Sequence, residues 1–222
     1  MTRVRLSPHK FFIVCMFMML SLGAVSLTHA GIRLKPQPGT VALTFDDGPN
    51  PKYTPQVLQI LKRYHIHAVF FVTARLARIY PNVVRQIVAD GNIVANHSVT
   101  HPRLTRLSSK RLDYEVGGAK RIIARVLGYS PNCFRPPFLA TNRRVERVIR
   151  NYGMYSVMGM GTKDYRLRGS RWLTRYVLRH VRSGAILIFH DGPSRRAQTV
   201  RALPAIIEGI KRKGLGFSLI CN

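Results

Sequence analysis

The sequence predicts a single α/β domain whose parallel strands curl into a barrel, and three observations lead there. Short apolar runs alternate with amphipathic segments from residue 41 to residue 220. That alternation is the pattern of parallel strands joined by crossover helices. About seven such runs are present, enough for an open doubly wound sheet or for a barrel. The residues with chemistry decide between the two. Asp46, Asp47, His97, His101, Arg135, Asp164 and His190 each follow an apolar run, at the C-terminal end of a strand. A parallel barrel gathers those ends on one face, where active sites are built, whereas an open sheet spreads them along an edge.

The elements follow in order. A Pro-rich stretch over 32–39 leads to a first strand at 41–45, which Gly48-Pro49 terminates. Thr54-Pro55 offers an N-cap with proline at the first helical position, and Val57, Leu58, Ile60 and Leu61 form the helix's apolar face. The second strand covers 68–72. Residues 75–89 read as a helix that Pro81 interrupts or divides. A short third strand at 93–95 precedes a helix capped by Ser108 or Ser109 and running to about 127. Strand four covers 132–134, and a helix occupies 141–151. Strand five lies at 154–158, and Ser170 caps a helix to about 181. The fully apolar sixth strand is 185–189. A last helix over 199–213, with Gly214 past its end, leads to strand seven at 216–220. There is no internal repeat, low-complexity tract or interdomain linker, so residues 31–222 read as one domain.

Residues 1–30 differ from the rest. Arg3, Arg5 and Lys10 precede an almost wholly apolar run over 11–25, and Thr28-His29-Ala30 places small residues where a signal peptidase reads. This is the pattern of a secretory signal peptide; an uncleaved membrane anchor is the alternative. Either way the domain is expected to be secreted, periplasmic or at the cell envelope. Without those residues the net charge falls from +27 by three, to +24. Such a field attracts anionic envelope polymers and permits peripheral membrane association. The basic residues are spread along the chain and no nucleic-acid motif is present, so no nucleic acid is expected as a partner. Cys133 and Cys221 can pair in an oxidising compartment, but both sit in apolar runs, and two small buried residues is the preferred reading.

Asp46 and Asp47 are adjacent in a chain with only nine acidic residues. Two carboxylates at the end of a buried strand repel each other and need a metal ion or an arginine to compensate them. His97 and His101 stand four apart, which on a helical turn is one face, and two histidines plus Asp47 make a recurrent zinc-binding set with an open position. Arg135 precedes two prolines that stiffen its loop, from which a guanidinium can hold a carboxylate by two hydrogen bonds. His190 closes an apolar strand, so partial burial can tune it. Asp191 beside it reads as a turn residue.

Thr44-Phe45-Asp46-Asp47-Gly48-Pro49, His97-Ser98-Val99-Thr100-His101-Pro102, Arg135-Pro136-Pro137-Phe138 and Ile188-Phe189-His190-Asp191 together resemble the successive motifs of the polysaccharide deacetylases, carbohydrate esterases with a NodB-type domain. The resemblance covers residues 41–220 in the right order. It implies a distorted (β/α) barrel, one divalent metal ion (zinc, with cobalt or nickel able to substitute) and removal of acetyl groups from N- or O-acetylated sugars. Carried over, Asp47, His97 and His101 are the metal ligands, Asp46 the general base, Arg135 its orienting partner and His190 the general acid. The backbone N–H of Phe138 would help bind the oxyanion. Asp164 and Tyr165 fall in the substrate region.

One stretch departs from the family. An Asp-x-x-Asp-Trp segment commonly follows strand five, and its first aspartate is taken to tune the acid histidine. Here Gly161-Thr162-Lys163-Asp164-Tyr165 stands in that place, so His190 is expected to lack its partner. Two functions of different class follow. One is an exported metal-dependent deacetylase of an acetylated glycan, peptidoglycan or a chitin-like oligosaccharide. The other is a metal-containing envelope glycan-binding protein with impaired catalysis.

Overall fold

The computed structural model describes residues 32–222; the segment read as a signal peptide or anchor, residues 1–30, lies outside them. Eight short strands among the described residues form one sheet. They are β1 (Thr40–Asp46), β2 (Val69–Val72), β3 (Ile93–Asn96), β4 (Cys133–Phe134), β5 (Tyr155–Ser156), β6 (Met160–Gly161), β7 (Ile186–His190) and β8 (Gly216–Phe217). Their order is β5-β4-β3-β2-β1-β7-β6, with β8 beside the start of β1, and every pairing is parallel. The two ends of that order, β5 and β6, are separated in the chain only by residues 157–159. So short a link spans at most about 14 Å. The sheet must therefore curl until its ends nearly meet, leaving a seam between β5 and β6. This is the distorted barrel.

β6 was not anticipated, because two residues carry no periodic signal. The fifth and last strands are shorter than expected. Even so, the Val157 amide still donates to Phe134 and the Ser218 amide to Val41, so pairing continues one residue past each regular strand.

The strands are enclosed by α1 (Thr54–Arg63), α2 (Ala74–Ile79), α3 (Pro81–Ala89), α4 (Ser109–Asp113), α5 (Ala119–Leu127), α6 (Arg143–Asn151), α7 (Ser170–His180) and α8 (Ala197–Arg212). Pro81 divides the second helical region as its sequence position requires. The helix expected over 108–127 is broken by a π-helical turn, Tyr114–Gly118. There Gly117 lies so close to the Tyr152 ring that a Cβ would sit 2.1 Å from it.

Strand alternation divides the apolar residues between the two faces. Val41, Leu43, Phe45, Phe70, Val72, Leu187 and Phe189 point outward and pack on the helices. Phe45 stacks on Phe70 and Phe189 at centroid distances of 5.1 and 5.8 Å. Burying each such side chain contributes roughly 1.5–3 kcal/mol. Ala42, Val69, Phe71, Ala95, Cys133 and Val157 point inward, where Ile220 and Cys221 join them.

Cys133 and Cys221 form a disulfide with Cα atoms 5.9 Å apart, correcting the reading as two free, buried thiols. The bridge ties β4 to the C-terminal segment across 88 positions of sequence. In the chain-entropy account a loop of that size contributes about 4 kcal/mol.

Candidate active site and metal centre

At the top of β1 the two aspartates part company. Asp46 continues the strand, pairs in register with His190 of β7, and points into the barrel, 3% exposed. There it meets Arg135, which is fully buried just past β4. The Arg135 Nη1 donates to Asp46 Oδ1 and to Thr44 Oγ1, both at 2.7 Å. Its Nε donates to the Val157 carbonyl at 3.1 Å, and its plane lies 3.9 Å over the Phe71 ring. Contact with Asp46 is through one nitrogen, not the two-pronged fork expected: Nη1 is shared between Asp46 and Thr44, Nε serves Val157, and the buried Nη2 makes no hydrogen bond. Burial pulls the guanidinium's pKa down, and the Asp46 charge opposes that.

Asp47 leaves the strand with φ 71°, and its carboxylate faces the same cleft as Asp46 but turns to the histidines. Gly192 packs against that turn so closely that a Cβ would lie 2.4 Å from the Asp47 carbonyl oxygen. Asp47 Oδ1 stands 3.5 Å from His97 Nε2 and 3.2 Å from His101 Nε2. Burial opposes ionisation of this carboxylate. The neighbouring imidazoles, His97 first and then His190 and His101, outweigh that and hold its pKa far below the usual range. Burial, and then the neighbouring His97, lower the pKa of His101.

The two imidazoles converge from a loop, not from the helical turn that their spacing suggested. Ser98 (φ 68°) and His101 (φ 63°) both take left-handed conformations to achieve it. A residue outside every motif holds this loop. Glu115, on the π-helical turn and fully buried, accepts from the amides of Val99 and Thr100 at 2.9 and 2.8 Å and from the Thr100 hydroxyl at 2.7 Å. Arg111 balances its charge at 2.9 Å.

His97 Nδ1 lies 2.7 Å from the Arg135 carbonyl, which can only accept. The ring proton is therefore on Nδ1, and Nε2 presents a lone pair to Asp47. Asp47 Oδ1 is buried and makes no hydrogen bond. Acceptors of Asp47, His97 and His101 thus face one another within 4.8 Å, an arrangement that suits a cation.

Across the cleft, His190 Nδ1 is 2.7 Å from Asp164 Oδ1. Asp164 Oδ2 accepts from the His190 amide and from the Thr199 hydroxyl, both at 2.9 Å, and the Gln198 amide holds the Asp164 carbonyl. Two expectations are corrected here. Asp164 is fully buried behind the histidine, so it does not face substrate; and His190 does not lack a carboxylate, because Asp164 supplies it. Burial pushes the His190 pKa down, but the bond and charge of Asp164, with Asp46 and Asp47, more than reverse this, and it is raised. Asp191 is no exposed turn residue. It is buried, accepts from the Thr54 hydroxyl at 2.5 Å, and burial pushes its pKa up to about 7.

A cleft of about 540 Å³ unites these groups. Asp46, Asp47, His97, His101, Phe138, Tyr165 and His190 all line it, while Arg135 and Asp164 support it from behind. Phe138 (φ 59°) sets its ring edge-on to His101 at 4.7 Å, and Tyr165 stands edge-on to His190 at 6.1 Å. Arg196, absent from the sequence-based site, also borders the cleft and places Nη2 3.4 Å from Asp47 Oδ2.

Fold and site together define an α/β-barrel hydrolase with a two-histidine, one-aspartate donor set beside an aspartate–histidine acid/base pair. The chain belongs to the polysaccharide deacetylase family, whose model matches residues 33–157. It is 32% identical to a peptidoglycan-N-acetylglucosamine deacetylase of Bacillus cereus over 180 residues, 80% of this chain and 84% of that one. It is 35% identical to a chitooligosaccharide deacetylase of Bradyrhizobium sp. over 188 residues, 79% of this chain and 86% of that one. Among solved structures, a family 4 carbohydrate esterase from Streptomyces lividans in complex with acetate superposes with a TM-score of 0.76. Identity to it is 32%, covering 82% of this chain and 92% of that one.

Proposed function

We propose that this deacetylase is exported and removes acetyl groups from an N-acetylated glycan, peptidoglycan or a chitin-like oligosaccharide, with one divalent metal ion, zinc by preference. The observation that carries the reading is the pairing of Asp46 with His190. They stand opposite each other in register on β1 and β7, on the cleft that holds the Asp47, His97 and His101 donors. A divalent ion held by those three residues would polarise the acetyl carbonyl and acidify water.

The protein's own groups supply the remaining chemistry. Asp46, aligned by Arg135, takes a proton from water as the water oxygen attacks the acetyl carbon. The Phe138 N–H, on a left-handed turn at the cleft, donates to the developing oxyanion. His190, held protonated by Asp164, delivers its proton to the sugar nitrogen as the C–N bond breaks. Acetate and a free amine leave. Exposed Tyr165 offers a stacking surface for a sugar ring at the cleft mouth.

Export is supported by the basic–apolar start of the chain and by the disulfide, which persists in oxidising compartments. The excess positive charge would hold the enzyme on an anionic wall or membrane surface. No described helix is long and apolar enough to cross a membrane. The competing reading, a glycan binder with impaired catalysis, rests on Gly161; with Asp164 against His190 that ground is gone.

The test is acetate release from N-acetylglucosamine oligomers and from peptidoglycan by protein loaded in turn with zinc, cobalt and nickel. Turnover with at least one ion is expected. Silence with all three on both substrates would overturn the proposal.

A further inference from the structure

Beside the cleft lies a second concavity of about 240 Å³, and Asp47, His101 and Arg196 border both. Its other walls come from three loops: Thr73 and Arg75 at the start of α2, Thr100 in the histidine loop, and Ser194 after β7. Deacetylation as described makes no use of it.

Arg196 is its most informative wall. The residue is only 7% exposed, and its Nε is buried with no hydrogen-bond partner. Its one carboxylate contact, to Asp47 Oδ2 at 3.4 Å, is long for a charge-assisted bond. Asp47 meanwhile serves both imidazoles through its other oxygen. A buried guanidinium with donors to spare is costly unless a ligand uses them. Around it the concavity sets a second guanidinium, Arg75, and the Ser194 hydroxyl, with Asp47 the only acidic wall; the Thr73 and Thr100 hydroxyls there already donate to the Gly48 carbonyl and to Glu115. Two cationic forks and a hydroxyl in a pocket of this size match a small oxyanion.

We propose that this concavity is a subsite for an anionic substituent, a carboxylate or a phosphate, carried on the glycan beside the acetyl group being removed. The inference rests on the deacetylase reading and adds selectivity to it.

The experiment compares kcat/KM for acetate release by the metal-loaded full chain on three oligomers of equal length. One is neutral, one carries a carboxylate-bearing ether on the acetylated sugar, and one carries a phosphate there. The expected result is an advantage of about tenfold for one anionic oligomer over the neutral one, the worth of a modest charge-assisted contact. Arg75→Ala should erase that advantage and Arg75→Lys should restore part of it. Arg171→Ala, which removes an exposed charge on α7, should leave it intact and so separates the subsite from the general positive field. Equal kcat/KM on all three oligomers overturns the subsite. So does an advantage that survives Arg75→Ala, or one lost equally in Arg171→Ala. No acetate from any oligomer, the neutral one included, overturns instead the deacetylase reading and the subsite with it.

Discussion

The outer and inner faces of the barrel sheet are written on the same strands yet obey different rules. Along β1, Val41, Leu43 and Phe45 face the helices, while Ala42, Thr44 and Asp46 face the interior. Outside, burial is a matter of area and shape, and any side chain of the right volume serves. Inside, burying a polar group is costly unless it has a partner: Asp46 has Arg135, and Arg135 has Thr44, Val157 and the face of Phe71, with only its Nη2 left without a hydrogen bond. The outer face supplies stability and the inner face supplies a held carboxylate. A one-residue slip in register would exchange them.

Substitutions can break that contrast or sharpen it. The largest effect is expected on the inner face, where Asp46→Asn should lower kcat/KM for glycan deacetylation about a thousandfold per folded molecule, and should also lower the thermal midpoint because it leaves the buried Arg135 charge without its carboxylate. A variant that melts early and loses activity only in proportion would show Asp46 to be structural. On the outer face, Phe45→Ala should cost about 3–4 kcal/mol in urea unfolding while activity per folded molecule persists. A dead but stable Phe45→Ala protein would erase the distinction between the faces. Between these lies the disulfide at the barrel floor. Replacing Cys133 and Cys221 together by Ser should cost about 2–4 kcal/mol and leave the metal content unchanged by elemental analysis.

The smallest effect is expected at Thr199. Removing its hydroxyl with Thr199→Val loosens Asp164 and so weakens its hold on the His190 proton. In the proposed mechanism His190 acts as the protonated acid, so activity should be lost as pH rises through its raised pKa. The alkaline limb of the kcat/KM profile should therefore move to lower pH, by roughly half a unit. Folding stability follows the same sign. A raised folded pKa contributes stability that is fully present below the unfolded imidazole value and lost as pH rises through the folded value. An unmoved limb would mean that Thr199 only packs.

Much of this organisation was legible in the chain. Placing polar residues after apolar runs picked out Asp46, Asp47, His97, His101 and His190, which the fold gathers on one cleft, and Arg135 behind Asp46, because strand ends in a parallel barrel share a face. Asp164 was placed on the wrong side of the histidine. Register explains it: Gly161 pairs with Ile188, two residues before His190, so a carboxylate at 161 would lie roughly 6–7 Å short of the level of the imidazole. Asp164, beyond the strand end, folds back to reach it. Glu115, Thr199 and Arg196 were missed because their partners lie 15 to 149 positions away and no local pattern marks them. The one available signal was scarcity: a lone Glu in a basic amphipathic helix needs a reason in a chain with nine acids. The cysteine pair was illegible for the same cause, since only the folded barrel brings residues 133 and 221 together.

Arg135 serves both halves of the site through different atoms. Its side chain holds Asp46, and its main-chain carbonyl holds the proton of His97. Every amino acid has that carbonyl, so the two services can be separated genetically. The double variant Arg135→Met with Asp46→Asn removes the buried charge pair together and leaves no lone ion inside the barrel. The imidazole keeps its tautomer and its aim. Such a protein would be a loaded but silent receptor, able to hold an acetylated glycan uncleaved long enough for its pose to be seen.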